Sequence, residues 1–562
     1  MRWRLGPVFV FEWLIASRRW QMYALRALLI TALLGALIVV WFAVVGWKQT
    51  LGLEDLAKIG QPFFVALVGT QLAVVLLVAP AATAGAICLD KSRGTLQHLM
   101  VTDLADSEIV LGKLAARLIP VFGLILCSLP VLALSSLLGG IDLMALLGAY
   151  MVTLGVAVLS CTLALTLSIW GRKTHEVLLL NYLIWALLLL AYPLAQFLDR
   201  HLTGGVLVPP EMALLNPFWL AFRPYVEPGT GNLYEGAVML GVCLALSLAL
   251  AFLAVGRIRR VVVRQAGRAA PSVAARRWLS RWPGLNYLGP LAPTLDGNPV
   301  LWREWHRRQP SRWMRVVWAA YAFTTVGISG LTFFLCVTSP GNEGLAAWVN
   351  AIQVPVGLLL VSLTAVTSLT EERLNGSLPV LLGTPLTASS IVWGKWWGAY
   401  RGVPLLAVLP ALVGLGLVLH SGNVFHLALV VALTLVHGAA VISLGLAVAV
   451  WVPNQSRALA VTAGVYVVLT AAVPLALMGL GMHNVDLEGL ATASTFYGMG
   501  SLTFMIAEDL PLMELHITLW ATLWLAVHLL GAVILGSAAV LTFDRCLGRL
   551  GDFPDRPPWR HG

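Results

Sequence analysis

Charge is scarce in this chain: Asp, Glu, Lys and Arg together supply 11% of its 562 residues. A soluble domain normally carries about 25% charged residues, so a water-facing globule and a charge-rich disordered chain are both excluded. Cysteine is sparse as well. Cys88, Cys127, Cys161, Cys243, Cys336 and Cys546 show no C-x-x-C spacing, which reads as small buried hydrophobes and not as a zinc or redox motif. No G-x-x-x-x-G-K-[ST] phosphate cradle occurs. The pairs Gly112-Lys113 and Gly394-Lys395 run on into Leu114 and Trp396 and lack the earlier glycine, so this chain does not hydrolyse ATP by that route. Neither H-E-x-x-H nor G-x-S-x-G is present, and no catalytic constellation is left. His420 and His426 are a close pair without a third ligand, which seldom makes a metal site. The expectation is a chain that is not an enzyme, with no catalytic residues, no metal and no cofactor of its own.

What the chain has is apolar length: 59% hydrophobic residues, a mean hydropathy of +0.86 and 22 Trp. Crossing a bilayer takes ~20 apolar residues at ~1.5 Å each. That ruler places spans near 27–47, 61–88, 117–138, 142–170, 174–198, 235–256, 315–337, 347–369, 402–420, 423–451, 457–481 and 515–543. Backbone amides find no water in lipid, so the spans are helices, and Pro80, Pro120, Pro130, Pro404, Pro410 and Pro474 kink them. The fold class is all-α: a polytopic integral membrane protein of about twelve transmembrane helices. Residues 1–26 lack a cleavage-type pattern and are expected to stay in place.

Basic residues set the orientation. With both termini inside, only Lys48, Lys58, Arg200 and Arg223 of the 36 Lys and Arg lie outside, as positive-inside topology requires. The net charge of +10 therefore reflects orientation, and the dispersed Arg exclude a nucleic-acid face. The implied location is the bacterial inner membrane, with both termini cytoplasmic.

The chain repeats itself. GTLQHLMVTDLADSEIVLGK (94–113) returns as GSLPVLLGTPLTASSIVWGK (376–395), and GPVFVFEW (6–13) is echoed by NPVLWREW (298–305). Within the echo, Glu12 and Trp13 match Glu304 and Trp305. Phe9, Trp13, Ala16 and Trp20 share a helical stripe, as do Trp302, Trp305 and Trp313 beside Arg303 and Arg307, so both segments (6–23 and 298–313) are expected to be interfacial helices. The resulting domains are a first half at 1–256, a basic linker at 257–297, a second half at 298–545 and a tail at 546–562. Equal sidedness makes them parallel six-helix repeats.

Each repeated loop follows the second span of its half. Leu96, Leu99 and Met100 after Gly94, and Leu378, Leu381 and Leu382 after Gly376, line one face of a short helix. A break follows at Thr102–Asp103 and at Thr384–Pro385, with Ser107 and Ser389 placed to cap the next helix. Lys113 and Lys395 stand where an ammonium would snorkel to headgroups. The loop is a rigid amphipathic knob whose apolar face needs lipid or a partner, and Asp90, Glu371 and Glu372 disfavour anionic lipid.

The pattern [DE]-[KR]-x-x-G-[ST]-L-x-x-L…T-x-L-x-x-S-x-I-V-x-G-K resembles the permease subunits of ABC-2-type transporters. Asp90, Lys91, Gly94, Thr95, Leu96, Leu99, Thr102, Leu104, Ser107, Ile109, Val110, Gly112 and Lys113 carry it first. Glu372, Arg373, Gly376, Ser377, Leu378, Leu381, Thr384, Pro385, Leu386, Ser389, Ile391, Val392, Gly394 and Lys395 carry it again, and Asp103 departs from it where the second copy has Pro385. The resemblance implies two permease halves fused in one chain, acting as an exporter. The loops would then be coupling helices docked on separate cytoplasmic ABC ATPase subunits that hold ATP and Mg. It further implies membrane lipid as a contact, no nucleic acid, and room for accessory subunits.

Ion-coupled carriers of the major-facilitator type also have twelve spans in two halves and are the alternative. Their loop signature G-x-x-x-D-[RK]-x-G-R-[RK] is not met by GAICLDKSRG (85–94). Proton relays need buried ionisable groups, for which His437 and His528 are the nearest candidates and are more simply structural. On the outer side, Leu214–Phe222 and the stretch near 493–510 are too short to span and read as re-entrant or interfacial helices. Few polar residues within the spans point to an amphiphilic cargo.

Overall fold

The computed structural model describes residues 6–548 apart from 19, 45–52, 138–141, 172, 203–208, 227–232, 267–293, 296, 307–311, 340, 375, 454, 473–488 and 508–510. The described residues are helical, with no strand among them. Eleven of the helical stretches are long and apolar enough to cross a membrane. The chain is a multi-pass, all-helical membrane protein.

Two compact units emerge, residues 1–280 with 312–317, and residues 281–311 with 318–562. The first contains α1 (Gly6–Ser17), α2 (Trp20–Val44), α3 (Leu53–Thr83), α4 (Gly85–Arg93), α5 (Thr95–Val101), α6 (Asp106–Leu137), α7 (Leu143–Trp170), α8 (Thr174–Leu202), α9 (Pro217–Val226) and α10 (Leu233–Ala266). The remaining helices are α11 (Pro299–His306), α12 (Arg312–Thr338), α13 (Glu343–Leu374), α14 (Leu378–Leu382), α15 (Ala388–Tyr400), α16 (Val403–Ser421), α17 (Val424–Trp451), α18 (Gln455–Val467), α19 (Thr495–Phe504) and α20 (Pro511–Leu547).

Burial sorts the spans. In α7 and α13, 72% of the most apolar window is buried, against 11% in α2 and α20, so the former pair are the axes of their units and the latter present apolar faces outward. α7 packs chiefly on α10 and α3, and α17 on α20 and α13. Prolines do not end the spans: α3 continues through Pro62 and Pro80, and α6 through Pro120 and Pro130.

Several expected boundaries move. The sixth span does not stop at 256: α10 continues to Ala266, because Ala254, Ile258 and Val262 keep one buried stripe while Arg257, Arg259, Arg260 and Arg264 turn outward. The rest of the basic linker, apart from 294, 295 and 297, lies outside the described residues. The expected helix at 6–23 is two: α1 ends at Ser17 and Trp20 opens α2, so the four-residue stripe is divided. The expected helix at 298–313 is likewise α11 alone, with Trp313 in α12 and Arg307 outside the described residues. The span expected at 457–481 is described only as α18 and a short π-helical continuation, Val468–Ala472. Residues 473–481 lie outside the described ones.

Candidate functional site

The two repeated loops fold alike and share a set of matching bonds. α4 ends where Gly94 takes φ +75°, its N–H donating to the Lys91 carbonyl at 3.3 Å; Gly376 takes φ +68° and donates to Arg373 at 3.3 Å. No heavy atom lies within 4 Å of a Cβ built on either glycine, so the sign of φ and not space calls for glycine. Thr95 Oγ1 donates to the Asp90 carbonyl at 3.3 Å, and Ser377 Oγ to that of Glu372 at 3.4 Å. Thr102 Oγ1 closes α5 on the Leu99 carbonyl at 2.6 Å, and Thr384 Oγ1 closes α14 on Leu381 at 2.6 Å.

The caps differ from expectation. Ser107 and Ser389 lie inside the first turns of α6 and α15. Thr387 caps α15, its Oγ1 accepting from Ser390 N–H at 3.2 Å, and in the first loop Glu108 reaches back to accept from Ala105 N–H at 3.3 Å. The helices begin earlier than the serines suggested because these neighbours supply the acceptors.

The apolar face of the knob is not free. Leu96 is fully buried, in a cluster with Ile87, Ile109, Val110, Ile258 and Val262 on which Leu99 and Met100 pack; Leu378 and Leu381 are buried too. The expectation that this face awaits lipid or a partner is therefore corrected. What the loops leave outside is their tips: Gln97, His98 and Val101 (88% exposed) in one, Pro379 and Val380 (73% exposed) in the other.

The two lysines also reverse their expected role. Lys113 does not snorkel; it is 2% exposed and holds Asp90 at 2.6 Å and Glu12 at 2.7 Å, while Arg117 takes the other Glu12 oxygen at 3.0 Å. Lys395, 1% exposed, holds Glu372 at 2.7 Å and Glu304 at 2.9 Å and donates to the Ser368 carbonyl at 2.9 Å. The acids at the loop entrances thus turn inward to a buried cation. An isolated buried charge is too costly to persist, and paired carboxylates in short, charge-assisted bonds make it tolerable.

The base beside each acid does the opposite job. Lys91 Nζ donates to the carbonyls of Ile169, at 2.8 Å, and Gly171, where α7 ends. Arg373 donates to Val450 at 3.0 Å and Val452 at 2.9 Å, where α17 ends. Cations placed on the carbonyls at a helix C-terminus also interact favourably with the helix dipole.

The leading helices α1 and α11 reach this cluster through the same pair of positions. Val8 is buried and Glu12 half-buried on α1; Val300 and Glu304 are the buried residues of α11. Trp13 faces outward at 43% exposed, and Trp305 is half-buried under the Arg401 guanidinium, which also donates to the Trp305 carbonyl at 2.9 Å. Close approach needs small residues. A Cβ on Gly394 would stand 3.0 Å from Leu301 N, and one on Gly398 would stand 2.8 Å from Glu304 Cβ.

Elsewhere, His437 and His528 meet with ring centroids 4.2 Å apart; His437 Nε2 lies 3.4 Å from the Ala493 carbonyl and His528 Nδ1 2.6 Å from that of Trp524. Both outer stretches contain short capped helices. Asn216 Oδ1 accepts from Phe218 N–H at 3.0 Å before α9, and Ser494 Oγ from Phe496 N–H at 3.1 Å before α19. α19 is held by a buried chain in which Ser329 donates to Gln353 at 2.8 Å, Gln353 to Asn350 at 2.8 Å, and Asn350 to Thr503 at 3.0 Å. Polar groups within the spans are therefore not few, and the premise for an amphiphilic cargo falls. Among the described residues no group of three His, Cys, Asp or Glu could hold a metal ion.

Helical spans around two buried axes, with duplicated loops bolted to them by ion clusters, define an all-helical membrane-transport scaffold. Residues 314–492 match the family model of the ABC-2 family transporter proteins. The chain thus carries an ABC-2 transporter domain, and the match runs from α12 to beyond α18 with the second repeated loop inside it. No curated protein matches the sequence.

Proposed function

We propose that this chain is the permease subunit of an ABC-2-type exporter, that two permease halves are fused in it, and that separate cytoplasmic ATPase subunits drive it. The observation that carries the reading is the likeness of the two loops: the same left-handed glycine, the same hydroxyl bonds and the same buried lysine, with the tips left exposed. A rigid protrusion with its apolar face already satisfied is suited to transmit force. ATP and Mg belong to the partner in this reading, since the phosphate cradle they require is not encoded here. The positive-inside count supports loops and termini on the cytoplasmic side, and the bacterial inner membrane follows the resemblance of the loops. Export, as opposed to import, follows the resemblance of the loops.

The test is purification in mild detergent from cells that also make the ATPase encoded beside it. A bound ATPase whose turnover rises when the two are mixed supports the reading. Protein that neither retains nor stimulates any ATPase refutes it.

A further inference from the structure

Glu12, Asp90 and Lys113 come from three separate helices, α1, α4 and α6, and Glu304, Glu372 and Lys395 from α11, α13 and α15. A packed apolar residue at the lysine would commonly hold a fold as well or better, so stability alone does not account for two such clusters. Charge balance is kept in both, although by different residues. Arg117 on α6 supplies the second base in the first cluster, where the second half has Ala399; Arg303 on α11, 3.5 Å from Glu372, supplies it in the other. The balance recurs even where the residue does not.

On α1, Val10, Phe11, Trp13, Leu14 and Ile15 are exposed, while Gly6, Val8, Phe9 and Glu12 form the face turned to the protein; on α11, Val300 and Glu304 are the buried pair. Apolar contacts are non-directional and let a helix slide; on α1 Glu12 holds Lys113 with one oxygen and Arg117 with the other, on α11 Glu304 holds Lys395, and such charge-assisted bonds fix a helix's position.

We propose that the two clusters are positioning joints, each making the leading helix, the base of the knob and the start of the following span one rigid piece, so that a push on the knob carries the leading helix with it. This rests on the reading that the knobs receive such a push.

Spin labels at Phe11, Val101 and Leu143, which are 66%, 88% and 59% exposed, report on α1, the knob and the far end of α7. They are placed pairwise as cysteines, with Cys127 and Cys546 changed to Ser. Distances are read by double electron–electron resonance, with and without partner ATPase loaded with a non-hydrolysable ATP analogue. In the native cluster, Phe11–Leu143 and Val101–Leu143 shift together while Phe11–Val101 stays constant. In Glu12→Gln/Asp90→Asn/Lys113→Met/Arg117→Gln, which leaves the cluster uncharged, the Val101–Leu143 shift persists, the Phe11–Leu143 shift is lost, and Phe11–Val101 broadens. The proposal is overturned if Phe11–Val101 changes with nucleotide in the native protein, or if α1 follows the knob in the neutral variant as before. Should that variant not fold, the native arm decides alone. Should the ATPase move nothing, the proposed function fails, and the width of Phe11–Val101 in native and neutral protein still decides the joint: broader supports it, equal overturns it.

Discussion

Glu372 and Arg373 are adjacent in sequence and serve opposite directions: the carboxylate meets Lys395 at 2.7 Å while the guanidinium meets the last carbonyls of α17 at 2.9 and 3.0 Å. Asp90 and Lys91 divide the same tasks in the first half. An acidic-basic pair at the end of the second span thus joins two neighbours, the third span and the fourth.

Removing the base should cost more than a surface charge does. Bonds from a charged donor contribute about 1.5–3 kcal/mol, and the carbonyls of Val450 and Val452 would lose theirs. Arg373→Ala is expected to lower the thermal midpoint of the detergent-solubilised protein, and Arg373→Lys to keep most of it, since Lys91 performs this role alone in the first half. Equal loss in both variants contradicts the assignment.

Lys395 gives the sharper case. Lys395→Met leaves Glu304 and Glu372, 7% and 9% exposed, without their cation, at a cost of about 3–5 kcal/mol. Adding Glu304→Gln and Glu372→Gln removes the stranded charges and should recover most of that stability. Circular dichroism melts of the single and triple variants measure the difference.

The sequence made the loops legible because a twenty-residue string recurs with its glycines, hydroxyls and lysine in register. It could not show where Lys113 points, because one partner lies on the preceding span and the other on α1, far back in the chain. A lysine near a span end reads as snorkelling until the packed acids are seen. The run of Arg after 256 ended the hydropathy window while the helix went on, since Ile258 and Val262 still met the core. The division falls at Ser17-Arg18-Arg19, a polar step that the stripe of Phe9, Trp13, Ala16 and Trp20 passes straight over. The amide chain from Ser329 to Thr503 was invisible because it joins α12, α13 and α19 through residues with no local pattern.

Gly94 and Gly376 are expected to answer to backbone sign. At φ +75° and +68° a branched side chain costs about 1–2 kcal/mol, and Asn costs less. The double Gly→Val variant should fold yet fail to stimulate partner ATP turnover, whereas the double Gly→Asn variant retains stimulation. Unchanged stimulation in the Val variant contradicts the role given to the turn.

Gly394 tests the approach of α11. A side chain there would meet Leu301 N and Val300 Cβ at 3.0 Å, so Gly394→Leu should loosen α11 from α15 and speed proteolysis near Pro299–His306. Gly464, with nothing within 4 Å of its would-be Cβ, is the control. Gly464→Ala should be neutral or stabilising by up to about 1 kcal/mol through helix propensity.

The most direct measurement is photo-cross-linking from the two exposed tips, Val101 and Val380, each replaced in turn by a photoreactive residue in cells making the native partner. The account predicts that both positions yield adducts with the same polypeptide, identified by mass spectrometry as an ATPase carrying a phosphate cradle. Adducts with lipid or outer-face proteins alone, and none with an ATPase from either tip, would contradict it.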